Sequence, residues 1–310
     1  MFVLKPDPYS LPCYRIGPFT TKDVAKNAAL PKSEAIDKYF QQRFGDSSFT
    51  YTENGRKAIE LALAYYALSP DDVVTILTTT GNFYISGCVT KEIERVCRWS
   101  RSIEPATKIL FVNHEFGFSY PGLASLKEHG LPIIEDCANS FYSQDVERSI
   151  GAIGDFVIYS FPKIFPIQIG GILRCNIAGY NTDYALAEDH KTYIKNVLSS
   201  QLNLETSICD KRLNNYQYLA KRFAHIGFQP RFALAEGDIP GVFMFKINDD
   251  QLDINAMKTH FYDHGIQCSV FYGERAFFIP CHQSLDVADL DYFNVVMQAF
   301  ITENVKENVS

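Results

Sequence analysis

Between Phe49 and Cys175, short apolar runs alternate with stretches of helical period, and this alternation constrains the fold more than any other feature of the chain. Two strands can lie parallel only if the connection crosses back over the sheet, and a helix is the usual crossover. The pattern therefore predicts a mostly parallel sheet between helices. Strands are expected at Val73–Thr78, Lys108–Val112, Leu131–Ile134, Phe156–Ser160 and Gly171–Cys175. Gly55–Leu68 reads as a helix with Ile59, Leu61, Ala62, Leu63 and Tyr66 available to bury, Asn54 as its N-cap and Ser69–Asp72 as the turn that stops it. Gly122–Gly130 reads as another crossover helix, ended by a glycine.

Beyond Cys175 the pattern changes. Asp183–Ser200 and Ile208–Ile226 have the period of two longer amphipathic helices. An apolar run at Gly241–Lys246, a helical stretch at Gln251–His264, a second run at Ile266–Phe271 and a helical stretch at Ala288–Thr302 make a smaller α+β unit. The expected class is α/β, with a large domain at 1–209 and a small carboxyl-terminal α+β domain at 210–310.

The formal net charge of −7 leaves no basic footprint for nucleic acid or an anionic membrane surface, so neither is expected as a partner. No apolar stretch reaches membrane-spanning length, and Met1–Pro8 lacks the apolar core of a signal peptide. The eight cysteines are scattered without a Cys-x-x-Cys pair, which predicts reduced thiols and a cytoplasmic protein.

Open parallel sheets bind ligands at the carboxyl ends of their strands. Four such ends carry chemistry. Asn54-Gly55-Arg56-Lys57 is a glycine turn opening a helix, whose free N–H groups and dipole can seat a phosphate, with Arg56 and Lys57 adding positive charge; the same dipeptide is also an ordinary turn. Glu135 and Asp136 follow a buried run directly, where a carboxylate must cap, pair or catalyse. Capping of a following helix is the plainer alternative for Asp136. Ser160-Phe161-Pro162-Lys163 delivers a hydroxyl and an amine to the same edge, and Gly170-Gly171 lets backbone pass close to a neighbour.

Other constellations carry less. His260 and His264 are four apart on a helical stretch but have no third ligand, so no metal site is expected. Cys137 and Cys281 have no base beside them in the sequence. Neither GxxxxGK nor GxGxxG occurs.

In their order along the chain, these features resemble the DegT-type sugar aminotransferase family of fold-type I enzymes dependent on pyridoxal 5′-phosphate (PLP). The resemblance rests on Asn54-Gly55-Arg56-Lys57-Ala58-Ile59, Val112-Asn113-His114-Glu115-Phe116-Gly117, Ile134-Glu135-Asp136-Cys137-Ala138-Asn139, Gly151-x-x-Gly154-Asp155-Phe156 and Ser160-Phe161-Pro162-Lys163 followed by Gly170-Gly171. Arg212-Leu213-Asn214-Asn215-Tyr216 and His282-Gln283-Ser284-Leu285 extend it towards the carboxyl terminus.

The resemblance implies that Lys163 carries the cofactor as a Schiff base and moves the substrate proton, a double role that burial of the lysine would favour. It implies that Asp136 keeps the pyridine nitrogen protonated and that Asn139 lies near the ring oxygen. Gly55, Arg56 and Ser160 would hold the phosphate, and Phe83 or Tyr84 would stack on the ring. It further implies a homodimer that transfers an amino group from a donor such as glutamate to a nucleotide-linked keto-sugar. A small non-nucleotide substrate, or a non-catalytic binding role on the same fold, are the alternatives. The chain departs from the family in placing Arg56 after the loop glycine and in its shortness after Gly171, where Asn181 is the one candidate for an asparagine otherwise lent by a neighbouring subunit.

Overall fold

The computed structural model of the chain describes residues 13–307; Met1–Pro8, read above for targeting signals, lies outside the described residues. In chain order the elements are α1 (Lys22–Ala28), α2 (Ala35–Phe44), β1 (Ser48–Thr52), α3 (Gly55–Tyr65), β2 (Val73–Thr78), α4 (Gly87–Glu94), β3 (Arg98–Ser100), β4 (Thr107–Asn113), β5 (Ile133–Asp136), β6 (Phe156–Ser160), β7 (Gly171–Cys175), α5 (Glu188–Gln201), α6 (Glu205–Ala224), β8 (Val242–Lys246), α7 (Ile254–Asp263), β9 (Ser269–Phe271), β10 (Ala276–Pro280) and α8 (Val287–Glu307).

Seven strands form one sheet in the order β1-β7-β6-β5-β4-β2-β3. The run from β6 through β5, β4 and β2 to β3 is parallel, and β7 is antiparallel to both of its neighbours. Its central strands are buried on both faces, which is why they read as unbroken apolar runs. One face is covered by α3 and α4, through Ala58, Ile59, Ala62, Leu63, Val89 and Ile93. The other is covered near β6 and β7 by α2 and α5, through Ile36, Phe40, Phe44, Ile194 and Val197.

Asn54 caps α3 as expected, its Oδ1 accepting the Lys57 N–H at 3.0 Å. The Ser69–Asp72 turn closes through the Asp72 carboxylate, which accepts the Ser69 N–H at 2.7 Å. The expected crossover helix at Gly122–Gly130 is instead a run of 3₁₀ turns, Leu123–His129. Both bounding glycines have left-handed backbone, so the segment is clipped at each end before an α-helix can propagate.

The remainder of the chain builds the three-stranded antiparallel sheet β8-β10-β9. Phe243, Phe245, Phe277, Phe261, Phe293 and Met297 form its core, joined by Tyr216, Leu219 and Phe223 of α6. Tyr14, near the chain start, bridges to Ile266 and packs on the same core.

Candidate active site

The register of β7 assembles the site. Ser160 at the end of β6 and Thr52 at the end of β1 both pair with Gly171, so a strand running the opposite way draws two carboxyl ends together. Gly171 must be glycine here: a Cβ would lie 2.7 Å from the Tyr159 carbonyl and 3.0 Å from the Asn54 backbone. The chain then passes from Thr52 into α3, whose first residue, Gly55, faces Ser160; a Cβ on Gly55 would stand 3.4 Å from Ser160 Cβ. The N–H groups of Gly55 and Arg56 have no intrahelical acceptor, as at any helix start. The Ser160 hydroxyl and the exposed Arg56 guanidinium make no hydrogen bond with described residues. Lys57 is turned away into an ion pair with Glu60 at 2.7 Å.

The two carboxylates of β5 have separate duties. Glu135 is wholly buried and accepts the N–H groups of Gly151, Ile153 and Gly154 at 2.7, 2.9 and 2.6 Å. It also meets His114 Nε2 at 3.1 Å, and because His114 Nδ1 accepts the Tyr120 N–H, the ring proton sits on Nε2 and is donated to Glu135. His114, Glu135 and Cys137 bring their side-chain donor atoms within 4.8 Å of one another. Those hydrogen bonds already occupy both carboxylate oxygens and both imidazole nitrogens. Burial pushes the Cys137 thiol well above its ordinary range, and the Cys281 thiol up to about 12.

Asp136 is 7% exposed and its Oδ1 accepts the Ala138 N–H at 3.0 Å. No helix follows, so this bond closes a tight turn and the capping alternative does not hold. Burial pushes the Asp136 carboxyl up, opposed by the Ala138 N–H and by the nearby charge of Lys163.

Lys163 ends a single 3₁₀ turn after β6 and is exposed towards a cavity, where the sequence led us to expect a buried amine. That turn is fixed from behind. Arg212 of α6, wholly buried, donates to the Lys163 carbonyl at 2.9 Å, to Gln283 Oε1 at 2.8 Å and to the Pro240 carbonyl at 3.2 Å. Gln283 in turn donates to the Ile164 carbonyl at 2.7 Å. Neither residue was assigned a role from sequence, although both lie within the segments that carry the resemblance.

The cavity, about 350 Å³, lies between this sheet edge and the sheet of β8–β10. Lys163, Asn139 and Tyr84 line it; Gly55, Arg56, Ser160 and Asp136 stand outside its wall. Of the two aromatic candidates, Phe83 is 71% exposed and lies against Trp99, whereas Tyr84 lies on the cavity against Tyr272. Asn181 is exposed and holds only the N–H of its neighbour Thr182 among the described residues.

A mostly parallel seven-stranded sheet between helices, followed by a smaller α+β unit, with a lysine and an aspartate on adjacent strand ends, is a fold shared with aminotransferases of known structure. Over part of its length the chain resembles the DegT-type aminotransferases: residues 96–173 match the model of the DegT/DnrJ/EryC1/StrS aminotransferase family. Among curated proteins it is 28% identical over 177 residues to the spore coat polysaccharide biosynthesis protein SpsC of Bacillus subtilis, covering 50% of this chain and 45% of that protein. It is 28% identical over 124 residues to the UDP-N-acetyl-3-dehydro-alpha-D-glucosamine 3-aminotransferase of Acidithiobacillus ferrooxidans, covering 35% of this chain and 34% of that one. The matched stretch thus spans less than half of either relative. The fold extends further: Spr1654 of Streptococcus pneumoniae superimposes with a TM-score of 0.73 at 14% identity, over 98% of this chain and 100% of that one.

Proposed function

We propose that the protein is a PLP-dependent aminotransferase that transfers an amino group from an amino-acid donor such as glutamate to a keto-sugar. The observation that carries this reading is the convergence of Lys163, Asp136, Ser160 and the start of α3 on one sheet edge, beside a cavity. The family match over residues 96–173 and the names of the two curated relatives support the sugar as substrate. Spr1654, of the same fold, has been solved in PLP and PMP forms.

The residues fit the cofactor. The glycine start of α3, the unpartnered Ser160 hydroxyl and Arg56 would hold its phosphate by charge-assisted hydrogen bonds. Asp136 keeps one oxygen free of the Ala138 N–H, at a place where a cation would relieve the cost of its burial. Asn139 would meet the ring oxygen and Tyr84 the ring face. When bound, PLP supplies the electron sink that makes a substrate Cα–H acidic.

The chain's own residues do the rest. The Lys163 amine provides the covalent anchor and, once released, the base that lifts and returns the proton. The Arg212–Gln283 pair holds the Lys163 backbone in place while its side chain moves. Asp136, ionised by its cationic partner, stabilises the charge that the reaction draws onto the ring. We further propose a cytoplasmic homodimer, divided at residues 209/210 into the large and small domains.

Borohydride reduction of the PLP-loaded protein followed by peptide mass mapping tests the assignment. A pyridoxyl adduct on Lys163, absent from Lys163→Ala, is the expected result. An adduct on Lys57 would move the site, and no adduct with PLP in excess would favour a non-catalytic role.

A further inference from the structure

Glu115, the first residue of the 3₁₀ turn that follows β4, is 6% exposed yet stands on the wall of the cavity. Its Oε2 is fully engaged, accepting both the N–H and the hydroxyl of Thr80 at 2.7 Å each. Its own N–H donates to Thr79 Oγ1 at 2.9 Å, so backbone and side chain are both fixed. Its Oε1 has no hydrogen bond with any described residue. Nor has the carboxylate an ion pair among the described residues: Arg101, whose charge acts on it, spends its guanidinium on the Ile76 carbonyl, Thr78 Oγ1 at 2.9 Å and the Asn82 carbonyl at 2.7 Å, and Arg231 is paired with Glu274. A rigid carboxylate with one free oxygen facing the cavity is a ready acceptor for a donor that enters there.

The rest of the wall narrows what that ligand can be. Among the described residues lining the cavity, Lys163 and Glu115 are the only charged side chains; the other polar ones, such as Asn113, Ser86, Ser269 and Tyr262, are neutral. With Lys163 committed to the cofactor, nothing on the described wall balances an anion, and Glu115 repels one.

We propose that Glu115 is the specificity-determining acceptor of this cavity, and that its free oxygen receives a hydroxyl of an uncharged, polyhydroxylated part of the substrate. This rests on the function proposed above and deepens it: the end of the substrate beside Glu115 is the sugar ring, and any phosphate or carboxylate it bears lies away from Glu115. Neutral polar neighbours suit a ring of hydroxyls, which both donate and accept.

The test titrates PLP-loaded protein with D-glucosamine and with cyclohexylamine, two amines on six-membered rings that differ in their hydroxyls, and follows the visible absorbance of the cofactor. The wild type is expected to bind glucosamine about tenfold or more tightly than cyclohexylamine, the worth of one hydrogen bond to a charged group. Glu115→Gln keeps an acceptor for Thr80 and replaces the free oxygen by an amide, and should lose most of that preference while leaving cyclohexylamine unchanged. Thr80→Val, which removes the hydroxyl held by the other oxygen, should keep the preference. Equal weakening of both amines in Glu115→Gln would make the residue a support for the Thr80 turn and overturn the assignment, as would a wild type with no preference. If the wild type forms no visible band and no Lys163 adduct, the cofactor reading itself has failed; a band and adduct without the preference refute Glu115 alone.

Discussion

The buried guanidinium of Arg212 donates to the main-chain carbonyl of Lys163 at 2.9 Å, so the residue that would bind the cofactor is held through its backbone by a helix of the other sheet's core. Removing the guanidinium leaves the Lys163 carbonyl and Gln283 Oε1 without a donor, while the Pro240 carbonyl keeps only the Cys281 thiol. Arg212→Met should therefore cost about 3 kcal/mol of stability, read from denaturant unfolding. The Gln283→Leu variant, in which the turn loses the bond to Ile164 and Arg212 loses one of its three acceptors, should remain folded and form the Lys163 adduct more slowly. An unchanged rate of adduct formation in Gln283→Leu would show that the clamp serves stability alone.

Asp136→Asn separates two effects of one carboxylate. The amide retains the bond from the Ala138 N–H, so the fold and PLP binding should survive. Turnover should fall by at least about a hundredfold, because the charge that stabilises the reacting state is gone.

Without cofactor the same substitution should stabilise the protein at neutral pH. The folded-state pKa of Asp136 is raised by burial, so the folded chain holds a proton that the unfolded chain has already released. Its contribution is intact below the ordinary carboxylate pKa and is lost as pH rises through the raised folded value. Melting temperatures of the PLP-free wild type and Asp136→Asn should diverge as pH rises through that window, with the wild type the lower. Saturating PLP should narrow the gap.

Gly117→Ala and Gly130→Ala form a matched pair, since both glycines have left-handed backbone. A Cβ on Gly117 would lie 2.1 Å from the Ile239 carbonyl, whereas one on Gly130 meets nothing within 4 Å. Gly130→Ala should lose about 1 kcal/mol through backbone strain alone. Gly117→Ala should lose well beyond that, because the 114–117 turn and the 239–241 segment must separate, and thermal denaturation of the two variants ranks them.

The proposed homodimer makes a hydrodynamic expectation. Sedimentation at micromolar concentration should give twice the mass of one chain; a single-chain mass would require the site to be complete within one subunit.

How much of this was readable in advance follows burial. The strands β2, β6 and β7 fall at the bounds expected from their apolar runs, because both faces are covered and most of their residues are apolar. The strand β1 escaped notice because it is an edge: Ser48 is exposed, Phe49 and Thr50 half-buried, and its period is hidden in polar hydroxyls. The three-residue β3 and the short helices α1 and α4 offer too few residues to show a period, and α2 and β10 also went unrecognised. At the site, Lys163, Asp136 and Gly55 stood out because they punctuate apolar or helical runs. Glu115 was quoted as part of a motif but not singled out, since a carboxylate after a strand is ordinary until Thr80 is seen holding one of its oxygens. Arg212 could not be recognised either: an arginine on a helix reads as solvent-facing, and its acceptors are backbone carbonyls, which leave no mark on the sequence.

The two side chains that fix the lysine turn come late in the chain. Arg212 follows Lys163 by 49 positions, and Gln283 follows Ile164 by 119. During synthesis the proposed phosphate seat could close once β7 has emerged, but the amine beside it has no firm footing until Gln283 has been made. A nascent chain that stops between β7 and Gln283 would thus offer the proposed phosphate seat without presenting the lysine correctly, and covalent capture would await the folding of the second sheet's core behind it.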